Sequence, residues 1–228
     1  MSPDQVERSV VLEVPFTGRW ITQMSPATRV PSHGTDLFGI SYGIDFVAVD
    51  EQRRSAPVRD WRTAFGTEPP ERYYAFGLPV TAPVSGRVVA AHDGELDHEG
   101  RRAPLPLVSY ALTQRSRLRQ GLAGLAGNHV MIRLRGRETV VVLVHLKRGS
   151  VRVEVGSDVT VGEVIGQCGN SGNSTQPHVH LHVADRADAA AARGMPLLFA
   201  GYREWPRHGP ALVRELAVPE NGVVIEAL

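Results

Sequence analysis

Hydrophobic residues along this chain fall into short runs rich in β-branched side chains, and glycine or proline interrupts them at close intervals. This pattern is typical of strands joined by turns. The two strongest runs are 129–134 and 139–146, and residues 79–91 predict two further strands about a Ser-Gly turn. Further predicted strands are 10–16, 44–49, 179–183 and 222–225, and glycine corners mark short strands at 155–156, 161–162 and 165–166. The pattern therefore predicts a mainly β fold.

Three stretches depart from the strand pattern. Residues 50–78 are polar with scattered aromatic side chains, and we interpret them as an insertion that packs these aromatics on the surface. Residues 93–126 form a second insertion, in which 112–125 carry some helical spacing. Residues 185–228 are interpreted as a C-terminal extension and not as a separate domain. With 228 residues, the chain is expected to form one domain over 1–228.

Charge and composition argue against several classes of protein. Lys and Arg number 25 and Asp and Glu 24, so the net charge of +1 supplies no pull toward nucleic acid. No run reaches the ~18 apolar residues that a membrane-spanning helix needs. The first residues lack the basic and then apolar segments of a secretory signal, which predicts a cytoplasmic protein unless a leader has been lost. The sequence predicts no particular oligomeric state.

Histidines concentrate on two of the predicted strands. His178, His180 and His182 alternate along one strand, so they should project from the same face. His145 lies on another strand. Imidazole nitrogen is a common zinc ligand, and a catalytic zinc has three protein ligands and an open position for water. A solvent-facing strand edge is the simpler alternative, but three alternating histidines favour a metal site.

Asp45 is a further candidate ligand. It stands at the start of an apolar strand, where an inward-pointing carboxylate is costly unless it is paired or bound to a cation. The alternative is a strand-entry aspartate that turns to water or bonds the local backbone.

Seven blocks of the sequence resemble the lysostaphin-type zinc endopeptidases, which cut the cross-bridges and stem peptides of peptidoglycan. The blocks are 41–46, 79–88, 127–130, 144–146, 162–166, 169–172 and 177–180. The glycine-punctuated stretch from Gly162 to His182 is the most specific part. The resemblance implies an antiparallel β-sheet structure with a groove, a barrel-sandwich hybrid core that carries short helices and the two inserted segments.

The resemblance also implies roles for individual residues. In the family, zinc is bound by the histidine and aspartate of a His-x-x-x-Asp motif and by the second histidine of His-x-His. Asp45 and His180 match two of these ligands, and His145 and His178 match the two catalytic histidines beside the metal. Ser41 stands where the first motif has its histidine, and a neutral hydroxyl is a poor zinc ligand.

Two explanations of Ser41 are open. His33, in a glycine-rich loop upstream of Asp45, could supply the missing imidazole, which we favour because an abandoned site would not need the other histidines. The alternative is a weakened or inactive site. Asp36, in the same loop, is a weaker rival ligand. His182 stands where the family commonly has an acidic residue, and it is interpreted either as a partner that orients a ligand imidazole or as a solvent-facing side chain.

The sequence thus predicts a zinc-dependent endopeptidase in which His33, Asp45 and His180 bind Zn²⁺ and His145 and His178 are catalytic. The predicted substrate is a peptide, in peptidoglycan cross-bridges or stems, which implies the cell envelope or a secreted protein. A catalytically impaired member that binds cell wall or regulates a hydrolase is the second hypothesis. A phosphohistidine carrier is the third hypothesis, and it does not explain the position of Asp45.

Overall fold

The computed structural model describes residues 8–58, 60–102 and 121–228 of the chain. Strands predominate there and the helices are short, so the predicted mainly β fold class is confirmed. The strands are β1 (Val10–Leu12), β2 (Arg19–Gln23), β3 (Ile44–Ala48), β4 (Pro79–Thr81), β5 (Gly86–His92), β6 (Asn128–Leu134), β7 (Val140–Leu146), β8 (Asp158–Val159), β9 (Val164–Gln167), β10 (Val179–Ala184), β11 (Leu197–Trp205), β12 (Leu212–Ala217) and β13 (Val224–Ala227). The helices are α1 (Trp61–Phe65), α2 (Gly121–Ala126) and two 3-10 segments, Leu37–Tyr42 and Pro70–Arg72.

Most strands belong to one large sheet. Its order is β1-β11-β13-β2-β3-β10-β7-β6-β5-β8, and β12 pairs with β11 outside this path. Neighbouring strands are antiparallel except β1 and β11, which run parallel. β4 and β9 form a separate two-stranded sheet. Because β1 and β8 end the order without pairing to each other, the large sheet is open over the residues that the structure describes.

The central strands β3 and β10 place alternate side chains in the hydrophobic core. On β10, Val179, Leu181 and Val183 belong to the main core cluster, and on β3 Ile44 and Phe46 do. Side chains alternate between the two faces of a strand. The residues between these core positions, which include the predicted site residues of both strands, are therefore turned to the opposite face.

Aromatic packing supports the sheet beneath the site. Phe46 packs edge-on against Phe16 and Phe199, with ring centroids 5.0 and 5.5 Å apart, and Phe16 stacks on Trp20 at 4.4 Å. These contacts join β3 to β2 and to the C-terminal extension. Burial of each such side chain contributes about 1.5–3 kcal/mol, so the core holds β3 firmly in place.

The two strands predicted at 79–91 do not pair with each other across the Ser-Gly turn. Both strands are present, but β4 pairs with β9, and β5 pairs with β6 and β8. A Ser-Gly turn is compatible with a hairpin, but it also allows the chain to pass from one sheet to another. Long-range pairing in the core selected the second outcome.

The first insertion is a surface segment only in part. Trp61 and Phe65 are exposed, as expected, but Tyr73 is buried. Its hydroxyl donates to the carboxylate of Glu68, which is fully buried and pairs with Arg102 at 2.6 Å. This buried ion pair ties the first insertion to the start of the second.

The second insertion and the C-terminal extension are described to different extents. The helical spacing at 112–125 overlaps α2 at its end, and residues 103–120 lie outside the described part. β11 to β13 of the extension join the same large sheet as the central strands. None of the helices in the described part has the length and apolar character needed to cross a bilayer.

Candidate metal centre

The predicted site residues line one cleft on the face of the sheet opposite the main core. The cleft has a volume of about 350 Å³, and its lining includes His33, Asp45, His145, His178 and His180. Apolar side chains complete the walls, among them Leu37, Phe38, Ile40, Leu125 and Val144. The structure therefore brings together all five residues that the sequence singled out.

Three of these side chains converge at one point. Asp45 and His180 are directly opposed on β3 and β10, and Nδ1 of His180 is 2.8 Å from Oδ1 of Asp45. His33 arrives from the loop between β2 and β3, with its Nε2 3.2 Å from the same oxygen. One ligand atom from each residue lies within 4.8 Å of the others. Two imidazoles and a carboxylate are a donor set suited to zinc, so the residues fit the ion that the resemblance implies.

The protonation states of this cluster also suit a metal. Burial raises the pKa of Asp45, but the neighbouring His178, His180 and His33 lower it, and the net pKa lies well below its usual value. Burial lowers the pKa of His180. An ionised carboxylate and a neutral imidazole are the forms that bind metal.

Gly43 makes the close approach of the two imidazoles possible. A Cβ atom at this position would lie 2.8 Å from Cε1 of His180 and 3.2 Å from Cε1 of His33. The first distance is shorter than a non-bonded carbon contact allows. The glycine two residues before Asp45 is therefore needed for the space it leaves beside the cluster.

Ser41 takes no part in the cluster. Its hydroxyl donates to Oδ1 of Asp36 at 2.8 Å, and neither residue is among those that line the cleft. The loop that carries His33 instead folds back toward Asp45, where Oγ of Ser32 is 2.9 Å from Nδ1 of His33. The replacement of the missing histidine by His33 stays a prediction, and this geometry is compatible with it.

A β-bulge turns His145 toward the cleft. The pairing of β7 with β6 shifts register at this point, and His145 has a φ of +63°. Leu143 and Leu146 both belong to the main core, whereas Val144 and His145 both line the cleft. A bulge adds a residue to one strand and re-aims its side chain. Regular alternation would have placed His145 in the core.

His145 and His178 lie side by side, with ring centroids 4.7 Å apart. Nδ1 of His145 is 2.9 Å from the carbonyl oxygen of Ser171, and Nδ1 of His178 is 2.8 Å from that of Gln176. A carbonyl only accepts hydrogen bonds, so each Nδ1 carries a proton, and in the neutral form of either ring the lone pair is on Nε2. Burial holds the pKa of His145 well below its ordinary value, which keeps this ring neutral.

His182 is buried against the cluster. It is 5% exposed, and its Nδ1 is 3.0 Å from Nε2 of His180. The solvent-facing alternative is therefore wrong, because β10 is a central strand covered on both faces. The interpretation of His182 as a partner of a ligand imidazole agrees with this contact.

Sequence reasoning missed the groups that support the site. These are Gly43, Ser32 and the carbonyls of Ser171 and Gln176. The glycine had a signal, since it stands two residues before a candidate ligand at the start of an apolar strand. The carbonyls had none, because any residue type presents the same backbone oxygen.

Comparisons with known proteins find similarity in the part of the chain that contains several of these histidines. Residues 108–192 match the model of peptidase family M23. A Haemophilus influenzae protein described as an uncharacterized metalloprotease is 45% identical over 67 residues, which are 28% of this chain and 14% of that protein. The chain thus spans about a seventh of the length of this relative.

The comparison with solved structures matches the catalytic domain of a peptidase among others. The catalytic domain of the antimicrobial peptidase lysostaphin from Staphylococcus simulans is 19% identical, with a TM-score of 0.37 over 67% of this chain and 74% of that one. Helicobacter pylori Csd3 is 19% identical, with a TM-score of 0.36 over 78% of this chain and 31% of that one. The match of residues 108–192 to the model of peptidase family M23 agrees with the resemblance expected from the sequence.

Proposed function

We propose that this chain is a zinc-dependent endopeptidase that hydrolyses peptide bonds in peptidoglycan cross-bridges or stem peptides. His33, Asp45 and His180 would hold the ion. The observation that carries the proposal is the convergence of these three side chains in a cleft that is also lined by His145 and His178. A purely structural role for five neighbouring polar side chains would not explain why they face a cleft.

The metal supplies Lewis-acid chemistry, because a bound zinc polarises a carbonyl and lowers the pKa of water toward about 7. Three protein ligands would leave a coordination position of the ion open to water. Asp45 would reduce the positive charge of the site, and the rings of His145, His178 and His180 beside it are buried. Low local dielectric strengthens each of these electrostatic contacts.

His145 and His178 would carry the proton transfers. Their Nδ1–H groups are held by backbone carbonyls, so the Nε2 lone pairs are available to the cleft. Nε2 of one ring can accept a proton from the attacking water, and the same nitrogen can then donate this proton to the leaving amine. The 4.7 Å separation of the ring centroids lets both reach one substrate carbonyl.

The substrate class rests on the resemblance to the lysostaphin-type endopeptidases, which act on peptidoglycan. The 3-10 segment and α2 contribute apolar residues to the walls of the cleft that contains the histidines. The proposed site of action is accordingly the cell envelope or its exterior.

A second candidate is a catalytically impaired member that binds cell wall or regulates another hydrolase. Ser41 is the observation that favours it, because the residue at the motif's first position does not reach the cluster. The two candidates differ in zinc content and in turnover.

The test measures both quantities on the purified protein. Elemental analysis after zinc addition and dialysis should find one zinc per chain, and purified peptidoglycan and synthetic stem and cross-bridge peptides should be cleaved at a peptide bond identified by mass spectrometry. A protein without stoichiometric zinc contradicts the metal site. A protein that binds zinc but releases no peptide supports the impaired member.

A further inference from the structure

We propose that an arginine-lined hollow at the turn between β6 and β7 binds the phosphate monoester group of a small molecule. The hollow has a volume of about 480 Å³. The charged residues that line it are Arg87, Arg133, Arg135, Arg137, Glu138 and Asp158. Of the residues that the structure describes, none lines both this hollow and the cleft, so the inference does not depend on the proposed zinc site.

Two of the arginines are directly opposed on neighbouring antiparallel strands. Arg87 of β5 and Arg133 of β6 are register partners. Directly opposite side chains in an antiparallel pair have Cβ atoms about 4.5–5.5 Å apart, and like charges in these positions destabilise the pairing of the strands. An anion that contacts both guanidinium groups would offset this repulsion.

The carboxylates of the hollow do not neutralise the arginines. Oε2 of Glu138 is 3.5 Å from Nη2 of Arg133, and within residues 8–58, 60–102 and 121–228 the other three arginines of the hollow form no ion pair. The buried Nε–H of Arg133 also lacks a hydrogen-bond acceptor among the described residues. Four arginines and two carboxylates leave a local charge of +2, whereas the whole chain carries +1. Positive charge is therefore concentrated here.

A phosphate monoester matches this charge and its arrangement. Such a group carries a charge of about −1.5 to −2 near pH 7 and presents three acceptor oxygens. Because these oxygens point in tetrahedral directions, different oxygens can accept from guanidinium groups on two strands, whereas a planar carboxylate is matched by a single guanidinium fork. Small-molecule sites have volumes of about 300–1,000 Å³, so the hollow can also hold a part of the molecule that carries the phosphate.

The hollow lies on the same face of the sheet as the cleft. Arg133 is the register partner of Val140 on β7. Val140 belongs to a second, smaller core cluster together with Ala126 and Val144, which line the cleft. Val144 is four positions after Val140, which corresponds to about 13 Å along a strand. A molecule bound in the hollow would therefore lie beside the cleft without entering it.

The test measures binding of glycerol phosphate to the zinc-treated full chain by amide NMR titration. The wild type should show saturable shifts at residues 133–138. Arg87→Gln/Arg133→Gln removes the opposed pair and should weaken binding by about tenfold. Arg152→Gln/Arg207→Gln is the matched control, because it removes the same charge from two exposed arginines outside the hollow. It should bind as the wild type does.

Arg135→Gln/Arg137→Gln tests the same hollow on the exposed turn, so the inference stays open to refutation if the first variant fails to fold. All of these variants keep the cleft, and phosphate held by a metal there would be common to them. Equal affinity in the wild type and the folded hollow variants, or an equal loss in the control, would overturn the inference.

Two further ligands test the chemical class. Glutarate, a dicarboxylate, should bind more weakly than glycerol phosphate, and tighter binding of glutarate would contradict the phosphate assignment. Sedimentation with vesicles that contain phosphatidic acid examines a lipid source of the same group. Retention on vesicles through these arginines without binding of glycerol phosphate would overturn the assignment to a small molecule. A chain that binds glycerol phosphate but no zinc would contradict only the proposed function.

Discussion

Asp45 and His180 face each other across two adjacent antiparallel strands, with Nδ1 of His180 2.8 Å from Oδ1 of Asp45. Directly opposed positions bring side chains within contact distance without any help from loops. The register of β3 against β10 therefore sets the relative position of the two residues. A slip of one residue would turn one of them into the core and break the pair.

The first prediction concerns the ligands on these strands. His180→Ala removes a metal-binding nitrogen at the centre of the cluster. Loss of a residue that only orients a ligand typically weakens metal binding about 10–100-fold, so loss of a ligand should weaken zinc binding more than about 100-fold. Turnover should be lost with the zinc. Elemental analysis and chelator competition measure the loss. Zinc content equal to that of the wild type would remove His180 from the ligand set.

The second prediction separates His33 from Ser41. His33→Ala should lose stoichiometric zinc, because its Nε2 lies 3.2 Å from the shared Asp45 oxygen. Ser41→Ala is the matched control, since the Ser41 hydroxyl bonds Asp36 away from the cleft, and it should keep zinc. The reverse pattern, with zinc lost only in Ser41→Ala, would show that the loop histidine does not replace the missing ligand.

The third prediction distinguishes proton transfer from metal binding. His145→Ala and His178→Ala should each retain zinc, because neither residue belongs to the converging ligand set. Loss of a general acid or base should reduce kcat by about 10²–10⁴-fold. Zinc content and steady-state kinetics on one peptide measure the two effects. Loss of zinc in either variant would indicate that the replaced histidine is a zinc ligand.

The fourth prediction concerns the space beside the cluster. Gly43→Ala should weaken zinc binding and activity, because the new methyl group would lie 2.8 Å from Cε1 of His180 and displace the ring. Gly166→Ala is a suitable control, since its Cβ would meet neighbours at 3.4 Å or more. Zinc titration of both variants decides the point. Equal zinc affinity in the two would show that the ring can move without cost.

The fifth prediction concerns acid stability of the metal-free protein. Burial lowers the pKa of His129, His145 and His182 from the ordinary value of 6.5. Below about pH 6.5 the unfolded chain therefore binds more protons than the folded chain, and the free energy of unfolding should decrease as the pH falls. The lowered pKa of Asp45 acts in the same direction at still lower pH.

Urea unfolding of chelator-treated protein at pH 7.5, 6.5 and 5.5 measures this trend. Stability should change little between the two higher values and fall at the lowest. His129→Leu removes one of the buried titrating groups, so its stability should fall less steeply with acidification. A free energy of unfolding that stays constant or increases from pH 6.5 to 5.5 would contradict the prediction.

Local periodicity predicted much of this structure. Alternation along residues 178–182 placed three histidines on one face, and the hairpin of β6 and β7 follows from two β-branched runs with a short turn. A charged residue in an apolar strand identified Asp45 as a candidate ligand. These inferences succeed because the strand repeat of two residues acts over neighbouring positions, which the sequence displays directly.

Other features depended on contacts between distant segments. The local pattern did not predict three of these features. They are the bulge that turns His145 to the cleft, the pairing of β4 with β9 and the burial of Tyr73 beside Glu68. Each is decided by which strand or loop packs against another. Sequence spacing carries little information about such partners, because many pairings satisfy the same alternation of apolar and polar residues.

By itself, the amino-acid sequence determined the mainly β class, the identity of the chemically capable residues and the faces on which most of them stand, since these depend on residue type and short-range repeat. Only the tertiary structure decided that His33 reaches Asp45, that Ser41 does not, and that His182 contacts His180. The physical reason is that these relations are distances between separate strands and loops, which the packing of the sheet and core sets after the local elements have formed.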